Sequence, residues 1–116
     1  MKLSEVIIKW HAMSARERDA WVEEAVFGGA TYDEFRLVND VRVLVPKYTT
    51  DISAAWLVVE ELRKDHFLYL SDATPYGWFV DLDHENDPIV AQNINADTAP
   101  EAIGLAAIVA KLARED

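Results

Sequence analysis

The residues with the clearest capacity for chemistry form an acidic stretch in the second half of the chain. Its carboxylates alternate with other residues, at Asp81, Asp83, Glu85 and Asp87. Carboxylate oxygens are the ligands that Ca²⁺ and Mg²⁺ prefer. A calcium-binding EF-hand loop, however, needs glycine at its sixth position and glutamate at its twelfth, where this chain has Asn86 and Gln92. We therefore interpret the stretch as a solvated loop and expect no bound metal.

No other group of residues has the spacing of a catalytic or cofactor site. The three histidines, His11, His66 and His84, lie far apart and lack the HExxH spacing of a zinc protease. Ser53 and Thr98 lie where helices are expected to begin, so we interpret their hydroxyl groups as helix-capping groups. The sequence has neither a phosphate-binding loop nor a glycine-rich dinucleotide turn. We expect no catalytic residue, no cofactor and no enzymatic activity.

Aromatic residues are the second candidate feature, because exposed aromatic side chains commonly anchor protein interfaces. Among the four tryptophans, we expect Trp21 and Trp56 in the core, since both lie in apolar stripes at helical spacing. Tyr48, Tyr76 and Trp78 could form an exposed surface, although core packing would explain them as well. Together with the acidic stretch, these three residues are the candidate partner-binding residues.

The charge of the chain is strongly and unevenly negative. Eleven Lys and Arg residues oppose 21 Asp and Glu residues, for a net charge of −10, and no Lys or Arg occurs between Lys64 and Lys111. This pattern disfavours direct binding of nucleic acid, whose affinity comes largely from phosphate contacts with Lys and Arg. It favours either simple solubility or a partner with a basic surface.

Cysteine usage and apolar runs limit the environment of the protein. With no cysteine in the chain, disulfides and thiolate-ligated zinc are excluded. The apolar run after Met1 is too short for a secretion signal, and no run approaches the roughly 20 residues that a membrane span needs. We expect a cytoplasmic protein that does not bind membranes.

The hydrophobic pattern predicts a single α+β domain over residues 1–116. Two N-terminal helices are expected within 1–29, the second beginning at a Ser14–Glu17 capping box and ending at Gly28. A central helix is expected at 48–65, a β-hairpin and third strand at 66–95 with a polar loop at 83–88, and a C-terminal helix at 98–114. Residues 30–40 are ambiguous, whereas 41–45 favour a strand. These elements predict an antiparallel three- to four-stranded sheet between helical layers, an α/β/α sandwich, with a short N-terminal helical arm.

Three segments, in this order and spacing, resemble a known family. They are Arg18–Gly28, Tyr48–Glu60 and Ala96–Ile103. The set resembles the phage ABA-sandwich domain family of small phage and prophage proteins. The resemblance implies an antiparallel sheet between helical layers, which agrees with the pattern, and it implies no settled activity, cofactor or catalytic residue. Where related sequences often follow the first glycine with tryptophan, this chain has Gly29.

Three functions remain as hypotheses. The first is a non-enzymatic phage accessory protein that binds a host protein, such as a defence component with a basic surface, and inhibits it through the acidic surface. The second is a protein that sequesters a small nucleotide signal, for which Arg36, Arg42, Lys47, Arg63 and Lys64 are the local basic groups. The third is a structural or assembly protein that works as an oligomer, for example a homodimer.

Overall fold

The computed structural model describes residues 1–84 and 87–113 of the chain. Within these residues, the chain forms four helices and six strands. They are α1 (Leu3–Ala12), α2 (Ala15–Phe27), β1 (Thr31–Tyr32), β2 (Phe35–Val38), β3 (Val41–Leu44), α3 (Ile52–Leu62), β4 (His66–Asp72), β5 (Trp78–His84), β6 (Asp87–Ala96) and α4 (Ala99–Leu112). Both sheets are antiparallel, with strand orders β1-β2-β3 and β4-β5-β6. The predicted α+β class is confirmed, and the described strands are divided between two three-stranded sheets.

Helix α4 lies at the centre of the molecule, since all eight residues from Ala102 to Val109 are buried. It packs against α1, α2 and α3 on one side and against β5 and β6 on the other. Small residues on α4 let side chains of neighbouring elements approach closely, as at Gly104, where an added Cβ would lie 3.0 Å from the Trp10 ring and 3.1 Å from the Thr49 methyl group. The helix predicted to be central, at 48–65, is shorter and lies to one side of α4.

The helix ends follow the signals in the sequence. Ser14 and Glu17 form the predicted capping box, in which each side chain bonds the other residue's backbone N–H. Gly28 ends α2 in the left-handed conformation, with φ of 73°. Helix α1 is docked, because Val6 and Trp10 are both buried, so the arm predicted at the N-terminus is part of the core.

Helix α3 buries much of the apolar face predicted for it, but not Trp56. Asp51 caps it as expected, by accepting a hydrogen bond from the Ser53 N–H at 2.9 Å. The prediction that Trp56 lies in the core is wrong, because 49% of its surface is exposed. The buried residues are Ala55, Val58, Val59 and Leu62. Apolar residues cover so much of this helix that periodicity alone did not determine which part packs inward, and the smaller side chains fit against α4.

The ambiguous segment at 30–40 and the strand predicted at 41–45 form the small sheet. Strands β2 and β3 pair from Phe35 with Leu44 to Val38 with Val41. Asn39 and Asp40 make the two-residue turn between them, both with positive φ, as a type I′ turn requires. The apolar side chains near this turn are largely exposed.

A buried carboxylate joins α2 to the segment between β3 and α3. Asp19 is fully buried, and its Oδ1 accepts hydrogen bonds from the Thr49 N–H at 2.9 Å and the Thr49 hydroxyl at 2.7 Å. Its Oδ2 lies 2.7 Å from the Arg16 guanidinium, which also donates to the Val45 carbonyl at 2.6 Å. These bonds satisfy the carboxylate and hold residues 45–49 against α2.

A second buried carboxylate lies one helical turn further along α2. Glu23 Oε1 accepts hydrogen bonds from Arg36 Nη1 at 2.5 Å and from the Tyr48 hydroxyl at 3.2 Å. The Tyr48 ring stacks on Phe27, with centroids 5.4 Å apart. Only 2% of Tyr48 is exposed, so the proposal that it belongs to a surface is wrong. Burial, followed by the Glu23 carboxylate, raises the pKa of Tyr48.

None of the helices within residues 1–84 and 87–113 combines the length and hydropathy that a bilayer-spanning segment needs.

The close approach at Gly104 gives a first prediction. Replacing Gly104 with Ala should lower the free energy of unfolding by about 1–3 kcal/mol through overpacking, although the same change in an open helix would raise it by up to about 1 kcal/mol. The reason is that Trp10 and Thr49 are both buried, and Asp19 holds Thr49 in place. Urea denaturation measures the effect. In a Trp10→Phe background, which shortens the facing ring, the cost should shrink, and an unchanged cost would contradict the contact.

Tyr48 gives a second prediction. Tyr48→Phe keeps the stacked ring but removes the bond to Glu23, so it should lower the free energy of unfolding by about 1.5 kcal/mol at neutral pH. An unfolded tyrosine loses its proton near pH ~10, whereas the raised pKa keeps Tyr48 protonated in the folded chain. The stabilisation is therefore complete below pH ~10 and is lost above it.

The measurement is the free energy of unfolding of both proteins as a function of pH. The difference between wild type and Tyr48→Phe should stay constant up to pH ~10 and then narrow. Tyr32→Phe is the matched control, because Tyr32 is exposed, and it should change stability little at neutral pH. A difference that grows above pH ~10 would contradict the burial of the Tyr48 hydroxyl.

Candidate interaction surface

The β4-β5-β6 sheet has one covered face and one open face. Residues alternate between the faces along each strand, and the strand register places Leu68, Leu70, Val80, Leu82 and Ile94 together. These residues are buried or packed against the core, and β5 and β6 contact α4. The opposite side, which we call the outer face, consists of Phe67, Tyr69, Phe79, Asp81 and Asp83.

Two exposed aromatic side chains form a row along β4 on the outer face. Phe67 is 62% exposed and Tyr69 is 55% exposed. Phe67 is directly opposite Asp83 on β5, and Tyr69 is directly opposite Asp81. The register therefore places a row of aromatic rings beside a row of carboxylates on the same sheet surface.

The acidic stretch is mostly in strands, so the loop predicted at 83–88 is wrong at 83–84 and 87–88, whereas residues 85–86 lie outside the described residues. Strand β5 continues to His84 and β6 begins at Asp87, so Asp81 and Asp83 are strand residues that share one face. Asp81 Oδ1 accepts a hydrogen bond from the Asn93 N–H at 2.7 Å, beside a register shift between β5 and β6. Glu85 lies outside the described residues.

The predicted aromatic surface is divided among three places. Tyr48 is in the core, as described above. Trp78 shares the covered face of β5 with Val80 and packs against the core, opposite to Asp81 and Asp83. Tyr76 is 79% exposed in the turn between β4 and β5, where its carbonyl accepts a hydrogen bond from Asn95 Nδ2 at 3.0 Å. Among the candidates whose side chains the structure describes, Tyr76, Asp81 and Asp83 remain as surface residues.

Sequence reasoning missed Phe67, Tyr69 and Trp56. Trp56 lines a groove of about 480 Å³ between α3 and β4, to which Arg63, Phe67 and Tyr69 also contribute. One signal was present in the sequence: 67–70 is apolar at every position. A continuous apolar run is typical of a strand that is covered on both faces. The β4-β5-β6 sheet has one open face, so the same run in β4 leaves Phe67 and Tyr69 exposed.

Strand pairing brings together two histidines, one at the start of β4 and one at the end of β5. His66 and His84 are opposite each other, with ring centroids 5.4 Å apart. His66 Nδ1 lies 2.7 Å from Asp65 Oδ1. Even so, the described part of the chain contains no group of three or more His, Cys, Asp or Glu residues that could hold a metal ion.

At the far end of β4, one carboxylate accepts two local hydrogen bonds. Asp72 Oδ1 accepts hydrogen bonds from the Thr74 hydroxyl and from the Thr74 N–H. These bonds hold the pKa of Asp72 below its ordinary value. Asp72 contributes a negative charge at the end of the edge strand, as an aspartate does at neutral pH.

A second groove, of about 610 Å³, lies between the N-terminal helices and the small sheet. Its basic groups already have partners inside the chain, since Lys9 lies over the Trp21 ring at 4.5 Å and Arg16 binds Asp19. Four acidic and two basic residues line it. Its tryptophan, Trp21, is buried, so the groove exposes less aromatic surface than the outer face, which is the stronger candidate for an interaction surface.

The fold is similar to a solved structure. That structure is the 2.0 Å crystal structure of a phage protein from Bacillus cereus ATCC 14579. The TM-score is 0.72 with 23% sequence identity, and the match covers 84% of this chain and 92% of that chain. At this identity the likeness shows the fold alone.

No curated protein matches the sequence. The model of the phage ABA sandwich domain family matches residues 2–108, which include every element from α1 to most of α4. The match extends beyond the three segments that suggested the resemblance. The chain therefore belongs to the phage ABA sandwich domain family.

Proposed function

We propose that the protein is a non-enzymatic phage accessory protein that binds a host protein through the outer face of the β4-β5-β6 sheet. The partner would be a component of a host defence system with a basic surface, and binding would inhibit it. The observation that carries this proposal is the row of exposed Phe67 and Tyr69 beside Asp81 and Asp83. Membership of a phage family supports a role during infection.

The aromatic row supports binding to a protein. Tyrosine and other large aromatic side chains bury much area with little loss of conformational entropy, and they dominate the energetics of many interfaces. Phe67 and Tyr69 are held in a strand that pairs with β5 over seven consecutive residues. Their backbone is thus already ordered, which reduces the entropy lost on binding.

The charges support a basic partner. Residues 65–110 contain eight Asp and Glu residues and no Lys or Arg, so this half of the chain has a negative field. Such a field accelerates association with a positively charged surface and discriminates against acidic ones. A basic groove that normally binds nucleic acid has the complementary charge, so an acidic protein could occupy it and block it.

The alternative of a nucleotide-sequestering protein has less support. Of the basic residues proposed for it, Arg36 binds buried Glu23, Arg63 lies 3.4 Å from Glu60, and Lys64 lies 2.7 Å from Glu61. Arg42 lies over the Phe35 ring at 5.0 Å. Arg36 would have to give up a buried partner to bind a phosphate, whereas the pairs of Arg63 and Lys64 are largely exposed and weak.

The test begins with capture of host proteins on the immobilised protein, followed by binding measurements on the purified candidate. Phe67→Ala should weaken binding by about 30-fold, the effect of losing an interface residue worth about 2 kcal/mol. Asp83→Lys should slow association and reduce its dependence on salt, because the steering field becomes weaker. The affinity of the unmodified protein should fall as the salt concentration rises.

Glu5→Lys is the matched control for charge, because it makes the same change on an exposed residue of α1, away from the outer face. It should retain nearly the full affinity. Circular dichroism and thermal unfolding show that each variant is folded. If Phe67→Ala and Asp83→Lys bind as well as Glu5→Lys does, the outer face is not the binding surface and the proposal fails.

A further inference from the structure

Strand β4 has an edge with which no described strand pairs, since the order of the sheet is β4-β5-β6. The Ala73 N–H donates to the Gly77 carbonyl at 2.9 Å, in continuation of the β4–β5 register. Along two antiparallel strands, the pairs of opposite residues alternate between hydrogen-bonded and non-hydrogen-bonded pairs. Phe67, Tyr69 and Ser71 therefore bond to β5, whereas the backbone groups of 66, 68, 70 and 72 point outward from the sheet.

This edge lacks the features that usually prevent further pairing. Proteins protect edge strands with proline, lysine, bulges or short length. Strand β4 contains no proline, glycine or lysine, and it pairs with β5 over all seven residues without a register shift. The opposite edge strand, β6, adjoins two register shifts and has Asn93 at a positive φ of 54°. Within the β4-β5-β6 sheet, β4 thus provides the regular edge that can accept a strand.

We propose that the occupant of this edge is a second copy of the chain, bound through antiparallel pairing of β4 with the partner's β4. The two-fold axis would pass between Tyr69 and the partner's Tyr69. His66 would then pair with the partner's Asp72, and Leu68 with the partner's Leu70. In this register every outward-pointing backbone group of β4 has a partner, because 66, 68, 70 and 72 pair only among themselves.

The side chains of β4 suit this arrangement. Residues directly opposite share a face, so Leu68 and Leu70 meet on the covered side and the two Tyr69 rings meet on the outer side. Strand β4 begins with the imidazole of His66 and ends with the carboxylate of Asp72. In the dimer, the imidazole of one copy could form a hydrogen bond with the carboxylate of the other. Trp56 on α3 lines the groove beside the same edge and supplies apolar surface next to the added strand.

Pairing would join two three-stranded sheets into one six-stranded sheet. The outer faces of both copies would then form one surface, with Phe67 and Tyr69 of each copy at its centre. Dimers with this symmetry use the same residues on both subunits. The inference does not depend on the identity of any host partner, because it concerns the edge of β4 rather than its outer face.

Net charge opposes association of two identical acidic chains. Each copy has a charge of −10, and salt screens such repulsion over a Debye length of about 8 Å at physiological ionic strength. Dimerisation should therefore become stronger as salt increases. Binding of a basic host partner should become weaker, so the two events can be distinguished by their opposite dependence on salt.

The test uses the absence of cysteine from the chain, so that each single-cysteine variant has one thiol. Tyr69→Cys should form a disulfide-linked dimer under mild oxidation, because directly opposite non-bonded residues have Cα atoms about 4.5 Å apart, within disulfide range. Ser71→Cys is the matched control. The two introduced thiols at position 71 would be about 14 Å apart in this register and should not form a disulfide.

A second variant tests the edge without an introduced thiol. Leu68→Pro removes a backbone N–H that points away from β5 and that would donate to the partner's strand. Each substitution removes this hydrogen bond twice, once from each copy, so the dimer should be about 30-fold weaker. Sedimentation equilibrium measures the change. Leu68→Ala, which keeps the N–H, should remain largely dimeric. The inference is overturned if the wild-type chain is monomeric at high salt, or if Ser71→Cys is linked as readily as Tyr69→Cys. Host-partner binding with a monomeric wild-type chain would overturn the dimer while leaving the proposed function intact.

Discussion

Burial of helix α4 is the constraint on which the rest of the structure depends. Eight consecutive residues, Ala102 to Val109, are buried, so the helix needs apolar neighbours on every side rather than along one stripe. The three other helices and the β4-β5-β6 sheet provide those neighbours. Because many of these α4 residues are small, the surrounding elements approach closely, and Trp10 on α1 fills the space next to Gly104.

The polar contacts of α2 determine where the chain goes between the two sheets. Asp19 and Glu23 are both buried, which would be costly without hydrogen-bond partners. Thr49 and Tyr48 supply some of those partners, so residues 45–49 must lie against α2. Helix α3 begins directly after this segment, and its position on the flank of α4 follows from that anchor.

The arrangement around α4 also decides which surface is available for binding. All the packing of the β4-β5-β6 sheet against α4 involves one face, and the opposite face retains Phe67 and Tyr69 at more than half exposure. Exposed aromatic residues do not contribute to the core, and they raise the risk of aggregation. Their combination with Asp81 and Asp83 on one surface is the feature that the proposed recognition of a partner would use.

The sequence by itself determined the local features of this protein. Ser14 and Gly28 mark the ends of α2, and the small-residue pattern after Thr98 predicts α4, because capping and periodicity act over a few neighbouring residues. Only the tertiary structure decided that Trp56 is exposed, that Tyr48 is buried and that Phe67 lies on an open face. Those outcomes depend on which of several apolar surfaces meets α4. Such a competition involves residues far apart in sequence, so no local pattern records its result.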